Sequence, residues 1–393
     1  MTAELARLAP AAPRGAGALD SLAAAAAAVR DRLAPARAVT VVVNDPQRAT
    51  RTRDVLELLR PALTGRSLRA LVAAGTHSHA RPSRQRFQRG VLAPLTFEAV
   101  AWHDCRSPEL AEVPGRPGWR CHRWLLDEAA ALLAIGSCEP HYFAGITGAH
   151  KTVTVGCAAF ADVEANHAGA LSAEARPGRL DGNPVHEGIL GMLAGLEARR
   201  EVLAIDLLQV GPTTCAAAGR PAEALERLAP HVRQAFFCAL PAPADALVLE
   251  VDPVLARSFY QADKAIKNSE WAVRDGGCLV LAAECADGVG QDHFMRLLGQ
   301  CPTHADAVET VRRRGYRLGD HKAVKLRHLT DRRGVRVFAV AAGLGAEEVG
   351  LLGFARAASV EAALAAAGVD PARHAVYRVA DAANTCVTVA GRL

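Results

Sequence analysis

Short apolar runs alternate with polar loops along this chain. Ala38 to Val43 is apolar and β-branched and predicts a buried parallel strand. The polar loop Asn44-Asp45-Pro46-Gln47-Arg48 follows it. Asp54 to Arg60 then places Val55, Leu58 and Leu59 on one helical face, with Pro61 expected to stop the helix. Ala70 to Ala74 predicts a second strand, which runs into Gly75-Thr76-His77-Ser78-His79. Ala130 to Ile135 reads as the end of a buried element, Ala158 to Leu171 as helix-compatible, and Val202 to Leu208 as a strand. Pro221 to Phe237 has helical spacing, and Pro230 is expected to break or kink it. After the breaker-rich Pro241-Ala242-Pro243-Ala244, strands are predicted at Ala246 to Val251, Cys278 to Ala283, Val335 to Val340 and His374 to Val379. A helix is predicted over Tyr260 to Asp275, ending at Gly276-Gly277.

Strand, polar loop, helix, strand is the rhythm of an α/β fold. The 393 residues exceed one ordinary core, so two α/β domains are expected, 1–240 and 241–393. In such sheets ligands gather beyond the carboxyl ends of the strands. The loops after Val43 and Ala74 are therefore placed to face one site.

Composition removes several function classes. The formal charge of +5 is modest, and no Lys/Arg block resembles a nucleic-acid-binding tail. The densest arginine cluster, Arg81 to Arg89, reads as solvated surface. Leu22 to Val29 is too short to span a bilayer, and no signal-peptide core precedes it, so a cytoplasmic protein without a membrane partner is expected. Ten cysteines without a CxxC pair predict free, mostly buried thiols. No GxGxxG follows a strand, which argues against an ordinary NAD-dependent dehydrogenase.

The richest chemistry lies in His141-Tyr142-Phe143-Ala144-Gly145-Ile146-Thr147-Gly148-Ala149-His150-Lys151, a loop by composition, with His167 beyond it. A glycine loop before a helix can hold an anion on its backbone N–H groups. Lysine can be a covalent attachment point when deprotonated. Histidine can be acid, base or metal ligand. Taken singly, each has a bland alternative: a capping histidine, a solvated lysine, a histidine on an exposed helix face.

Taken in order, these segments resemble the lactate racemase family, enzymes that use a nickel-pincer nucleotide cofactor. Asp45-Pro46-Gln47-Arg48-Ala49-Thr50 resembles the family's Asp-x-x-Arg-Pro-Thr loop, and Ala74-Gly75-Thr76-His77 its Gly-(Thr/Met)-His turn. Pro140 through Lys151 resembles its His-(x)9-Lys segment, and His167 falls sixteen residues past the lysine, where the family places its metal ligand. Tyr260-Gln261-Ala262-Asp263-Lys264 is similar to the family's Tyr-Gln-x-x-Lys. Where the family has Gly-Gly before x-Lys, this chain has Gly148-Ala149, which requires a backbone without positive φ at Ala149.

The resemblance implies a racemase or epimerase of a small 2-hydroxy acid, with the active site in the cleft between the two domains. It implies proton-coupled hydride transfer to the cofactor, pyridinium-3,5-bisthiocarboxylic acid mononucleotide carrying nickel, through a 2-keto acid. His77 and His141 would be the two bases, with His79 and His150 as rivals. His167 would bind nickel, and Lys151 would carry the cofactor through a thioamide bond or contact its phosphate. Gly75, Thr76 and Gly148 could approach that phosphate. Arg48, Tyr260, Gln261 and Lys264 would bind substrate. Asp45 could orient Arg48 or bind the nucleotide. A longer or sugar-derived hydroxy acid is the alternative substrate, and a non-catalytic nucleotide or hydroxy-acid binder the alternative class. The sequence leaves the oligomeric state open.

Overall fold

The computed structural model describes residues 5–13, 19–115, 118–290 and 292–391. Within them, two six-stranded sheets organise two α/β units. The first sheet runs, edge to edge, Thr213–Gly219, Val202–Val210, Ala131–Ser137, Ala38–Asn44, Ser67–Ala73, Ala99–Trp102. Only the hairpin of its first two strands is antiparallel. Ala38–Asn44 is central because its residues are apolar on both faces: Val39, Val41, Val42 and Val43 are fully buried. From this strand the chain builds toward one edge through Ser67–Ala73, then returns on the other side through Ala131–Ser137. The order therefore reverses between Ala38–Asn44 and Ala131–Ser137, and a crevice opens beyond their carboxyl ends.

The second sheet is parallel throughout, in the order Ala6–Leu8, Val376–Val379, Ala244–Glu250, Val273–Ala282, Arg336–Val340, Ala355–Arg356. Its reversal lies between Ala244–Glu250 and Val376–Val379. The edge strand Ala6–Leu8 belongs to this sheet although it precedes the whole first sheet in the chain.

Several expected boundaries move, for identifiable reasons. The helix over Thr52–Leu63 continues through Pro61, and Pro221–Phe236 continues through Pro230. Both prolines are on exposed faces, so each carbonyl that loses its helical partner can turn to water. Packing holds the first helix together: Val55, Leu56, Leu59 and Leu63 are fully buried, at roughly 1.5–3 kcal/mol each. A charge at Leu56 would break it. The helix expected to reach Asp275 ends at Ser269, and a single 3-10 turn leads into the strand Val273–Ala282. Gly276 and Gly277 lie inside that strand, where the ladder to Ala244–Glu250 skips register. All ten cysteines are free, and all but the half-buried Cys238 are buried.

Candidate active site

The stretch from His141 to Lys151 is more structured than its composition suggests. Pro140–His141 pairs antiparallel with Gly145–Ile146, and Lys151 sits in the short helix Ala149–Val153. Gly145 has φ +76, and a Cβ there would lie 2.1 Å from the Arg179 carbonyl oxygen, so only glycine makes this turn. Ala149 is helical and has no positive φ, which accounts for alanine being accepted in place of glycine. The fully buried Asp206, from the strand Val202–Val210, accepts a hydrogen bond from the Ala149 N–H at 2.7 Å and so pins the start of this helix.

One cleft at the reversal of the first sheet is lined by Asn44, Asp45, Arg48, Gly75, Thr76, His77, Gly148, Lys151 and His167, among others. Ala38–Asn44 and the loop after it, the loop after Ser67–Ala73, the short helix Ala149–Val153 with Gly148 before it, and the helix Phe160–Ala168 supply these residues. A smaller space beside it is lined by Arg48, His141, Tyr142, Lys264, Asn268, Ala383 and Asn384. Ala383 and Asn384 come from just beyond the reversal of the second sheet. Arg48 borders both spaces, and its guanidinium pairs with Glu139. Gln261 does not line either space. Its Nε2 donates to Gln47 Oε1 at 2.8 Å and ties the two units together. Tyr260 also lies outside both linings: Lys322 Nζ sits 4.4 Å from its ring centroid and donates to its carbonyl, while pairing with the buried Asp263 at 2.9 Å.

Asp45 does not orient Arg48 through its side chain. Its Oδ2 meets His77 Nδ1 at 2.8 Å and His79 Nε2 at 2.9 Å, while Oδ1 accepts the Gln47 N–H at 3.0 Å. Burial alone would push this carboxyl up, but the two imidazoles bonded to it outweigh that and hold it well below the usual carboxylate range. An ionised Asp45 requires His77 to present Nδ1–H, so the neutral ring is the tautomer with its lone pair on Nε2.

The His141 ring is constrained at both nitrogens. Nδ1 accepts the Ala144 N–H at 3.2 Å, so the neutral ring carries its proton on Nε2, which meets Lys151 Nζ at 3.0 Å. The lysine must then accept, as a neutral amine. Burial, together with the charges of Arg48 and Lys264, indeed holds Lys151 well below its ordinary range. Burial, then the cations around it, lowers His141 likewise. Lys264 is brought down to about 7, by burial first and then by Arg48 and Lys322. Arg48 is the fixed cation here, paired with Glu139, and Lys264 titrates near 7, so an incoming anion meets one guanidinium and favours the ammonium form of Lys264.

His167 fits a metal ligand. Asn166 donates from Nδ2 to the Val185 carbonyl at 3.0 Å, so its Oδ1 accepts the His167 Nδ1–H at 3.2 Å. The Nε2 lone pair stays free, and burial, with Lys151 nearby, drives the imidazole down to about 3, so it is neutral. A neutral imidazole fixed through its other nitrogen is the form that ligates metals. Gly75, with φ +54, lets the backbone of the turn approach the cleft closely. A close-approaching glycine turn, a neutral amine and a neutral imidazole in one cleft therefore fit a cofactor that holds one metal ion.

His150, a rival for the base, is fully buried with neither ring nitrogen bonded, packs against His186 at 5.4 Å, and lines neither space. Glu139 and Asp206 were missed by sequence reasoning. Each is a lone carboxylate at the end of, or within, an otherwise apolar run, and that is the signal that could have found them. The Tyr142–His321–Tyr316 chain was also missed. Its Tyr142 Oη lies 3.0 Å from His321 Nε2 and its Tyr316 Oη 2.7 Å from Nδ1.

A model of the lactate racemase N-terminal domain matches residues 16–178, and one of the lactate racemase C-terminal domain matches residues 252–380. The chain belongs to the lactate racemase family. Family membership makes it an isomerase. It is 28% identical to lactate racemase of Thermoanaerobacterium thermosaccharolyticum over 292 residues, 70% of this chain and 67% of that protein. It is 25% identical to lactate racemase of Lactiplantibacillus plantarum over 251 residues, 61% of this chain and 57% of that protein. The solved lactate racemase apoprotein from Thermoanaerobacterium thermosaccharolyticum superposes with TM-score 0.81 at 21% identity, over 97% of this chain and 94% of that one. A Thermotoga maritima protein superposes with TM-score 0.74 at 14% identity, over 97% of this chain and 99% of that one. These two likenesses establish the α/β fold. The site residues expected from the sequence lie inside one of the two matched spans, whereas Asp206, Ala383 and Asn384 lie outside both. No described helix is long and apolar enough to cross a membrane.

Proposed function

We propose that this lactate racemase family member interconverts the enantiomers of a small 2-hydroxy acid, with lactate as first candidate, using a nickel-pincer nucleotide. The convergence of His77, Lys151, His167 and Arg48 on one cleft, with His141 across Arg48 in the adjoining space, carries this reading. The division falls at Pro241 to Ala244, with 1–240 holding the cofactor, apart from the strands Ala6–Leu8 and Phe237–Leu240 that pair with strands beyond it, and 241–393 closing on substrate. The protein works in the cytoplasm.

The α-C–H of a hydroxy acid is a poor acid beside an ionised carboxylate, so its hydrogen leaves more readily as hydride while the hydroxyl loses a proton. The nickel-pincer group, when bound, supplies the place for that hydride. His167 Nε2 would hold the nickel, since imidazole suits Ni(II). Lys151, already a neutral amine, is in the state needed for covalent attachment. Thr76 and Gly148 would offer backbone N–H groups to the phosphate, whereas the Gly75 N–H is bonded to the Gly156 carbonyl at 2.9 Å and its role is the turn.

The chain's own groups manage the proton and the carboxylate. Arg48 and Lys264 hold the carboxylate. His77 Nε2, free of hydrogen, is ready to take a hydroxyl proton. His141 can give a proton from Nε2 only as an imidazolium, and the substrate carboxylate bound beside Arg48 and Lys264 offsets the cations that otherwise lower it. The planar keto acid then presents its other face, and the roles reverse for the opposite enantiomer. General acid–base catalysis contributes roughly 10²–10⁴-fold, so each histidine should be worth about that.

The test uses protein made in a cofactor-producing host. His77→Ala and His141→Ala are each mixed with pure D- or L-substrate in a single turnover, and keto acid is measured. Both variants should lose racemisation but retain keto acid formation from opposite enantiomers. If both lose the same enantiomer, or either racemises at the full rate, the two-base reading fails.

A further inference from the structure

The base reading absorbs only one of the two imidazoles on Asp45. His79 is nearly buried, lies 5.3 Å from the Trp102 ring, and does not line the cleft, so substrate cannot reach it. Its backbone carbonyl accepts Arg84 Nε at 2.8 Å, and that guanidinium sits 5.3 Å over the same indole. The ring is thus held from two sides with Nε2 on Asp45 Oδ2. One carboxylate oxygen serves two N–H donors, and each bond takes only part of its charge.

We propose that His79 is a positioning residue: by sharing Asp45 Oδ2 with His77 it fixes His77 as the Nδ1–H tautomer and divides the carboxylate's charge, so that His77 Nε2 stays an unprotonated base. The proposal rests on the reading of His77 as a base. Asp45 is the one anion in contact with His77. Of the other charged or titratable groups on the cleft walls, Arg48 is a cation that opposes its protonation and is itself paired with Glu139, while Lys151 and His167 are neutral. Without His79, the whole charge of Oδ2 would fall on His77 and favour its imidazolium, which cannot accept the hydroxyl proton.

The test compares three variants with the wild-type holoenzyme. His79→Phe keeps a flat ring against Trp102 but donates nothing; His79→Leu serves if that variant does not fold. The acid limb of its kcat/KM–pH profile should move up by about one pH unit, the smaller end of what a neighbouring opposite charge produces. His79→Gln can donate an N–H without taking a proton, and should return the limb to near its wild-type position. Long-range proton–nitrogen NMR of the His77 ring in the full-length protein gives a readout independent of turnover. It should find the Nδ1–H tautomer in wild type and Gln, and imidazolium persisting to higher pH in Phe or Leu. An unmoved limb and ring titration in Phe or Leu, or a Gln variant displaced as far as Phe, overturns the proposal. His77→Ala separates the two layers. If it racemises like wild type, the base reading fails, while the NMR still reports whether Oδ2 is shared.

Discussion

Replacing Asp206 with asparagine should flatten the dependence of stability on pH. Asp206 is fully buried, with Oδ1 on the Ala149 N–H and no partner on Oδ2. Burial pushes its carboxyl up to about 7, against the Ala149 N–H and Cys138, which lower it. In the unfolded chain an aspartate titrates near 3.9. A native value above the unfolded one means that the folded state binds the extra proton. Stability is then greatest below about pH 4 and falls as pH rises toward 7. A shift of roughly three units corresponds to at most about 4 kcal/mol, of which roughly 2–3 kcal/mol is lost between pH 5 and 8. Asp206→Asn keeps the acceptor for Ala149 but buries an unpaired donor, which costs about 1–3 kcal/mol at any pH. Urea unfolding followed by tryptophan fluorescence at pH 5, 6, 7 and 8 measures both proteins. Trp102, Trp119 and Trp124 report the first unit. Other groups that titrate here, such as Asp381, which burial pushes up to about 6, cancel in the difference between the two proteins. Wild type should lead at pH 5 and give up roughly 2–3 kcal/mol of that lead by pH 8. A gap that stays constant, or widens with pH, would refute the reasoning.

Lys264→Ala should lower kcat/KM by about 10–100-fold, since a charge-assisted hydrogen bond contributes roughly 1.5–3 kcal/mol; unchanged kinetics would leave the carboxylate to Arg48 alone. Because Lys264 is brought down to about 7, KM in wild type should rise as pH passes upward through that value and its ammonium is lost. In Lys264→Ala that rise should disappear, which a KM–pH series measures. His167→Ala should retain less nickel by metal analysis at unchanged circular dichroism, and full retention would remove His167 from the metal site.

The strands were readable because a parallel sheet covered on both faces needs unbroken apolar, β-branched runs, and Ala38–Asn44 and Val202–Val210 supply them. Two proline rules failed because they describe helix interiors in isolation: at Pro61 and Pro230 the affected face is solvent, and packing on the opposite face outweighs the lost bond. The hairpin at Pro140–Ile146 was invisible to composition, since its pairing spans only two residues on each side and is forced by the Gly145 turn. Site residues that arrive in order along short motifs, such as His77 and Lys151, could be named from sequence. Their partners could not. Asp45 joining His77 and His79, Glu139 meeting Arg48, and Gln261 meeting Gln47 are side-chain pairings across 32 to 214 positions, decided by how the sheets bring loops together.

The strand Ala6–Leu8 has a consequence for synthesis. Its sheet partner among the described residues, Val376–Val379, leaves the ribosome roughly 370 residues later. At about 5–20 residues per second, that is a wait of roughly 20–75 s. Throughout it the first sheet can assemble, since all six of its strands lie between residues 38 and 219, while Ala6–Leu8 waits for its neighbouring strand. The second sheet cannot gain this edge strand until Val376–Val379 has been made. Slowing the ribosome over the last third of the message would lengthen that wait without altering a single residue of the product.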